Sequence, residues 1–310
     1  SRLTNLIGEL FIRTQFWFPR RACDAALRKR FGDDYPTVAE QSSNIAYLFT
    51  NSEPLIETAA PTLSRVIDIS QIGAREPNEL DEKWSAILSQ RPRTILVSFG
   101  SMVKAYLFPI ETKLSFLKMM SRFPDTTFIW KYESLDDEFS RELATGVVNL
   151  VLTEWMPQIE ILNHPSIVAF ITHGGMGSVQ EAAARGVPGV FIPIFGDQPR
   201  NAGMMERNGL GLVYDKFALA DDERLTATVK EVVENPKYRE AAGRISRMLA
   251  KKPFKPKEQL VKYVEFAAEF GPSTALRPAS HDMSFIAYHN LDIILISIVL
   301  VIVLISFSVK

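Results

Sequence analysis

The sequence predicts an α/β fold built on a doubly wound parallel sheet, followed at the C-terminus by one strongly apolar helix. Two observations carry the sheet. From Pro92 onward short β-branched runs alternate with amphipathic stretches, and each stretch is long enough to return the chain over the sheet before the next run begins. Strand and helix alternating in this way make right-handed βαβ units, whose strands are parallel and covered on both faces. A third observation carries the tail, because Ile293 to Val309 reads IILISIVLVIVLISFSV without a charge. As a helix this run covers roughly 25 Å at ~1.5 Å per residue, nearly the hydrocarbon thickness of a bilayer. A soluble core helix carries a polar face, and this stretch offers only serines.

The elements follow in order. RRACDAALRKRFG reads as the basic end of a helix closed by Gly32, and AYLFT and RVIDIS read as short strands set apart by Pro54 and Pro61. Two strands and two or three helices make a weak core, so residues 1–75 are expected to be the remnant of a larger N-terminal domain. The polar run EPNELDEKW then leads into residues 76–250, the expected sheet-bearing domain. Its runs are TILVSFG, a helix over Glu111–Phe123, TFIWKY, a short helix over Glu138–Leu143, VVNLVLTEW, IVAFITHGG, the helix GSVQEAAARG, GVFIPIFG, a helix after Gln198, and GLGLVY. DERLTATVKEVVEN, PKYREAAGRISRMLAKK and KPKEQLVKYVEFAAEFG are helical stretches with no strand run between them, expected to pack around the sheet rather than extend it. Residues 251–290 read as returning helices and a juxtamembrane segment. Residues 291–309 read as a transmembrane helix, with His289 and Asp292 at one interface and Lys310 beyond the other.

Composition excludes several classes. A chain of 310 residues has a prior of about two domains. Its 35 basic and 36 acidic side chains leave none of the basic excess that a nucleic-acid binder shows. The single cysteine, Cys23, makes neither an intrachain disulfide nor a zinc site of the multi-ligand kind. The first sheet strand ends in FGSMVK, without the G-x-G-x-x-G turn of a dehydrogenase, and no P-loop follows. His164 and His173 stand at no metal-ligand spacing. The chain opens on Ser1 without a basic-then-apolar leader, and its native N-terminus is expected to lie upstream.

In open parallel sheets ligands collect at the carboxyl ends of the strands. There the sequence places Gly100-Ser101, then Trp155-Met156-Pro157-Gln158, then His173-Gly174-Gly175, and finally Phe195-Gly196-Asp197-Gln198. Glycines, an indole, an imidazole, a carboxylate and amides together suit a sugar nucleotide. The His-Gly-Gly turn opens a helix, so free N–H groups and the positive end of the helix dipole face whatever sits in the loop, and a diphosphate fits there. Ser178 lies in the first helical turn. Glu181, three residues on, repels phosphate unless it points past it, toward a ribose diol. Taken singly, His173 reads as a helix-start histidine and Glu181 as a solvated carboxylate. The assortment across four loops is what favours a ligand site.

The run from Trp155 to Gln198, W-M-P-Q … H-P … F-I-T-H-G-G … E-A … G-V-P … P-I-F-G-D-Q, resembles the signature of the UDP-glycosyltransferases, most closely the membrane-bound animal UDP-glucuronosyltransferase type. LVSFGSMV and YHNLDIILISIVL extend the resemblance toward both ends. It implies a GT-B fold, two Rossmann-like domains facing across a cleft, of which this chain is mainly the C-terminal donor-binding one. By the same resemblance Trp155 stacks on uracil with Gln158 beside base and ribose, and Glu181 binds the ribose. His173, Gly175, Ser178 and Ser101 take the diphosphate positions, while Asp197 and Gln198 hydrogen-bond the sugar hydroxyls. Gly177 stands where many relatives carry asparagine, which removes one side-chain contact.

The resemblance also implies a reaction: transfer of a hexosyl group, glucuronic acid or glucose, from UDP-sugar to a small lipophilic acceptor with inversion. UDP-sugar is then a co-substrate, with no separate cofactor or metal. The general base is a histidine with an aspartate helper in the family's N-terminal half, and no histidine lies within residues 1–163 here. Catalytic residues are therefore expected outside this chain. A second reading, of a different class, is a truncated non-catalytic form that binds UDP-sugar or a full-length relative. The implied setting is a single-pass membrane protein of the endoplasmic reticulum with a lumenal donor domain, contacting membrane lipid and self- or hetero-associating.

Overall fold

The computed structural model describes residues 2–73 and 75–308. Two compact units divide them, one holding residues up to 49, 61–67 and those from 261 on, the other residues 50–60 and 68–260. In the first, α1 (Arg2–Phe31) carries Arg28, Lys29 and Arg30 in its last turn, where cations meet the negative end of the helix dipole. Gly32 ends it at φ +105°, a conformation that side chains with a Cβ rarely adopt. α2 (Val38–Ser43) starts at a reciprocal capping box between Thr37 and Glu40. β1 (Leu48–Thr50) and β2 (Val66–Asp68) pair as a two-stranded sheet.

The second unit is the predicted α/β domain. In chain order come α3 (Glu82–Leu88), β3 (Arg93–Ser98), α4 (Ile110–Ser121), β4 (Thr126–Lys131), β5 (Leu150–Thr153), α5 (Gln158–Leu162), β6 (Ile167–Thr172), α6 (Met176–Arg185), β7 (Gly189–Phe191), α7 (Gln198–Arg207), β8 (Gly211–Val213), α8 (Asp222–Glu234) and α9 (Pro236–Ala250). The six strands lie in the order β5-β4-β3-β6-β7-β8 and every pairing is parallel. β3 and β6 are neighbours with their chain connections running to opposite sides, so the topological switch point lies between them. Their ends are level, Ser98 facing Thr172. The crevice past these two residues is where an open α/β sheet receives a ligand.

Alternation along β3 shows how both faces are covered. Ile95 and Val97 join one apolar cluster with Phe116 and Met120 of α4 and Leu225 and Val229 of α8, while Leu96 points into another with Trp84, Ile161 and Ala182. A third cluster packs α6, α7 and α9 around Phe191. Each fully buried side chain of this kind contributes roughly 1.5–3 kcal/mol, which fixes the strand ends as a rigid platform.

Three details depart from the sequence reading. The stretch expected as a short helix over 138–143 folds as a π-helical turn, Phe139–Leu143. Residues 50–60 and 68–75, expected with the upstream remnant, lie in the sheet-bearing unit where they are described. There Glu53, wholly buried, accepts from Ser70 Oγ and from Lys252 Nζ (2.8 Å), and Gln180 Nε2 donates to Asn51. α10 (Pro256–Phe270), expected to cover the sheet, buries none of its residues, and Val261, Val264, Phe266 and Phe270 stand exposed.

Beyond α10 come α11 (Phe285–Tyr288) and α12 (Leu291–Ser308). Apolar residues surround α12 on all sides, from Ile293 to Phe307. Among the described residues no helix is long and apolar enough to cross a membrane. Val309 and Lys310, counted in the expected span and its flank, lie outside the described residues.

Candidate functional site

Four strand-end loops of the sheet-bearing unit build the site. After β3 the chain turns at Gly100, φ +81°, into Ser101, which is exposed. After β6 comes His173, then Gly174 at φ +80°, then Gly175, the N-cap of α6. The two loops are fitted to one imidazole. A Cβ built on Gly100 would stand 2.7 Å from His173 Cε1, and one on Gly175 would stand 2.5 Å from His173 Nε2. Glycine at both positions is thus what lets the ring lie across the switch point.

His173 is half-buried, and Thr172 Oγ1 sits 3.3 Å from its Nδ1. Burial holds its pKa below the usual imidazole range, against the opposing charge of Asp197 and a hydrogen bond with the Ser98 backbone. The neutral ring keeps one donor and one acceptor nitrogen. No side chain caps α6, so the first amides of that helix remain available to an anion. A pH dependence follows with a definite sign. A histidine depressed in the folded state contributes stability that is present above its unfolded pKa, near 6.5, and lost as pH falls through its folded value. The thermal midpoint of the wild type is expected to fall more between pH 7 and pH 5 than that of His173→Asn. Parallel curves for the two proteins would show that His173 is not the titrating group.

α5 and α6 contribute the second cluster. Gln158, the first residue of α5, donates from Nε2 to Glu181 Oε2 at 2.6 Å and lies 3.4 Å from Ser178 Oγ. Burial raises the pKa of Glu181, opposed by the Gln158 hydrogen bond and by the charges of Arg185 and Arg75. Three of the residues singled out in the sequence are therefore in direct contact. Trp155 projects from the loop between β5 and α5, its side chain largely exposed. Its carbonyl accepts from Thr153 Oγ1 at 2.7 Å, which fixes the backbone behind the ring.

After β7, Gln198 is buried and its Oε1 accepts from the amides of Ile194 (2.8 Å) and Phe195 (2.9 Å). The loop carrying exposed Asp197 is held from within by the residue beside it. Asn201 adds a link the sequence did not reveal, since its Nδ2 donates to Asp197 Oδ2 (2.8 Å) and to the Gly174 carbonyl (3.1 Å). One turn of α7 thereby ties the β6 and β7 loops together. An asparagine four residues after Asp197, on the same helix face, is the one signal that could have found its contact with Asp197. Lys131, buried at the end of β4, is the other residue missed, because a lysine closing an apolar strand reads as solvated. Among the described residues no three histidine, cysteine or carboxylate groups gather to hold a metal.

A family model described as "UDP-glucoronosyl and UDP-glucosyl transferase" matches residues 1–310. The chain belongs to the UDP-glucoronosyl and UDP-glucosyl transferase family. Among family relatives it is 36% identical over 270 residues to the Caenorhabditis elegans protein ugt-48, covering 86% of this chain and 51% of that one. Mouse UDP-glucuronosyltransferase 1A7 is 31% identical over 276 residues, 88% of this chain and 50% of the relative. The chain thus spans about half the length of the curated relatives it matches. Among solved structures, the glycotransferase of kitacinnamycin superposes with a TM-score of 0.62 at 20% identity, over 86% of this chain and 66% of that one. Os79 from O. sativa, solved in complex with UDP, gives 0.53 at 20% identity over 64% and 47%. These likenesses establish a GT-B-like α/β fold with a parallel sheet for this family member.

Proposed function

We propose that this chain is the donor-binding part of a UDP-glycosyltransferase that moves a hexosyl group, glucuronic acid or glucose, from UDP-sugar to the hydroxyl of a small lipophilic acceptor. The carrying observation is the constellation along the strand-end edge of the sheet: an exposed indole, a Gln158–Glu181 clamp, and a glycine-flanked imidazole at an uncapped helix start. The indole offers uracil a flat apolar face. Gln158 holds one oxygen of Glu181, leaving the carboxylate free to accept from a ribose diol at the other. The α6 amides and the Gly100–Ser101 turn receive the diphosphate, with Gly175, Ser178 and a neutral His173 completing the donors. Asp197 and Gln198, set by Asn201 and by the Ile194–Phe195 amides, face the sugar hydroxyls.

In the reaction the acceptor oxygen attacks the anomeric carbon from the side opposite the diphosphate. The bond from that carbon to the β-phosphate oxygen breaks, UDP leaves with the electron pair, and the anomeric centre inverts. A general base takes the acceptor proton, and by family resemblance it belongs to the N-terminal half of the longer relatives. The residues of this chain act on the other end, stabilising the charge that develops on the departing diphosphate. No cofactor or metal is required by this scheme. Calorimetric titration of the full chain in detergent is expected to show UDP binding with Kd on the order of 1 mM or tighter, and at least about tenfold tighter than ADP. Equal affinity for the two nucleotides would defeat the assignment.

We further propose that α12 with the residue after it anchors the chain in a membrane, of the endoplasmic reticulum by resemblance, with the donor domain lumenal and other copies or relatives as lateral partners. Two serines within the apolar run support this, since Ser297 Oγ and Ser306 Oγ donate to the Ile293 (2.8 Å) and Ile302 (2.9 Å) carbonyls, so these two hydroxyls are satisfied within the helix. Deleting residues 291–310 is expected to release the protein from membranes under alkaline wash. Retention of the shortened chain would assign anchoring to another segment.

A further inference from the structure

Lys131 is 6% exposed at the end of β4, and its ammonium touches three of the loops that build the crevice or flank it. Nζ donates to the Gly100 carbonyl at 2.8 Å and to Glu133 Oε1 at 3.2 Å, and it stands 5.5 Å from the centroid of the Trp155 ring. Glu133 is itself tied down, its Oε2 accepting from the Ala105 amide at 2.8 Å. Burying an ammonium is costly unless a carboxylate and further acceptors surround it, and here they do. Its three donors diverge, so one group reaches a carbonyl, a carboxylate and an aromatic face together. A methionine of similar length fills the space without making any of these contacts.

The consequence lies in what the partners do. Gly100 is the residue whose missing Cβ leaves room for the His173 ring, and Lys131 holds the carbonyl of that left-handed turn. Trp155 is otherwise largely exposed, with the Lys131 ammonium over its ring. We infer that Lys131 is a positioning residue that couples the Trp155 platform to the Gly100–His173 loop pair, so that the base and the diphosphate of one uridine diphosphate are gripped cooperatively. This rests on the reading of those loops as the donor site. Lys131 acts through its contacts with Gly100 and Trp155. It fixes the distance between the two ends of the ligand by holding both supports from beneath.

A double-mutant cycle with Trp155→Ala tests the coupling by calorimetric titration of UDP into the full chain, with the thermal midpoint followed in parallel. Lys131→Met is expected to weaken UDP by about ten- to a hundredfold, the scale of a lost charge-assisted hydrogen bond. The double variant is expected to bind clearly better than the product of the two single losses allows. Lys131→Arg, which keeps the charge, is expected to recover part of the affinity. A lysine that only supports the fold would lower the midpoint and leave the two losses additive. One that only attracts phosphate would also give additive losses, and either result overturns the inference while leaving the donor site standing. If Lys131→Met does not fold, Glu133→Gln keeps the lysine and loosens its clamp. A several-fold loss of UDP affinity that disappears in the Trp155→Ala background is then expected, and an undiminished loss overturns the inference. Absence of UDP binding by the wild type would remove the donor-site reading and this inference together.

Discussion

Replacing Gly100 with alanine is expected to abolish measurable UDP binding while leaving the sheet-bearing unit folded. Two effects act at once. The left-handed backbone at φ +81° costs an alanine about 1–2 kcal/mol that glycine does not incur. The new methyl would also lie 2.7 Å from His173 Cε1 and 3.0 Å from Nε2, inside any real contact distance, so the ring must leave its place. Gly175→Ala separates the two effects. Its φ of −61° suits any residue, yet its Cβ would meet His173 Nε2 at 2.5 Å. Both variants should therefore lose the ligand, and only Gly100→Ala should lower the thermal midpoint by roughly 2–8 °C, the range for this loss in a domain of such size. His173→Ala supplies the comparison, since a common cause requires the glycine variants to bind no better than it does. Wild-type affinity in either glycine variant would show that the imidazole does not contact the ligand.

The sheet was legible because its signal is local. Every strand run in residues 92–214 is β-branched or aromatic and bounded by glycine, proline or a helix start, so burial on both faces followed from composition alone. The site was legible for a related reason. In a parallel sheet the loops after the strands must share one edge, and Gly100, Trp155, His173 and Asp197 all follow strands. Residues whose role depends on partners distant in sequence were not legible. Lys131 meets Gly100 and Trp155, and Asn201 meets Gly174, through contacts that no periodicity announces. The same is true of Glu53, Ser70 and Lys252, whose buried network places residues 50–60 and 68–73 with the sheet. α10 shows the converse. Its amphipathic pattern promises an apolar partner, and the pattern does not say which surface supplies it.

Trp155→Ala is expected to weaken UDP by ~1–3 kcal/mol, about five- to 150-fold, the range measured when an aromatic platform under a base is removed. The environment of the ring makes this an unusually clean substitution. With 71% of its surface exposed, Trp155 contributes little to the core, so the thermal midpoint should stay near the wild-type value. The loop behind it is fixed through its carbonyl by Thr153 Oγ1, a bond alanine retains. The loss should therefore come from the missing π-face and not from a displaced backbone. Ligand fragments sharpen the test, because uridine and UDP should both weaken, whereas inorganic diphosphate should bind as before at the α6 amides. Trp155→Phe should recover part of the affinity, a smaller ring offering a smaller stacking area. Unchanged UDP affinity in the alanine variant would assign the base to another wall of the crevice, and with it the orientation of the whole nucleotide along the sheet edge would have to be reversed.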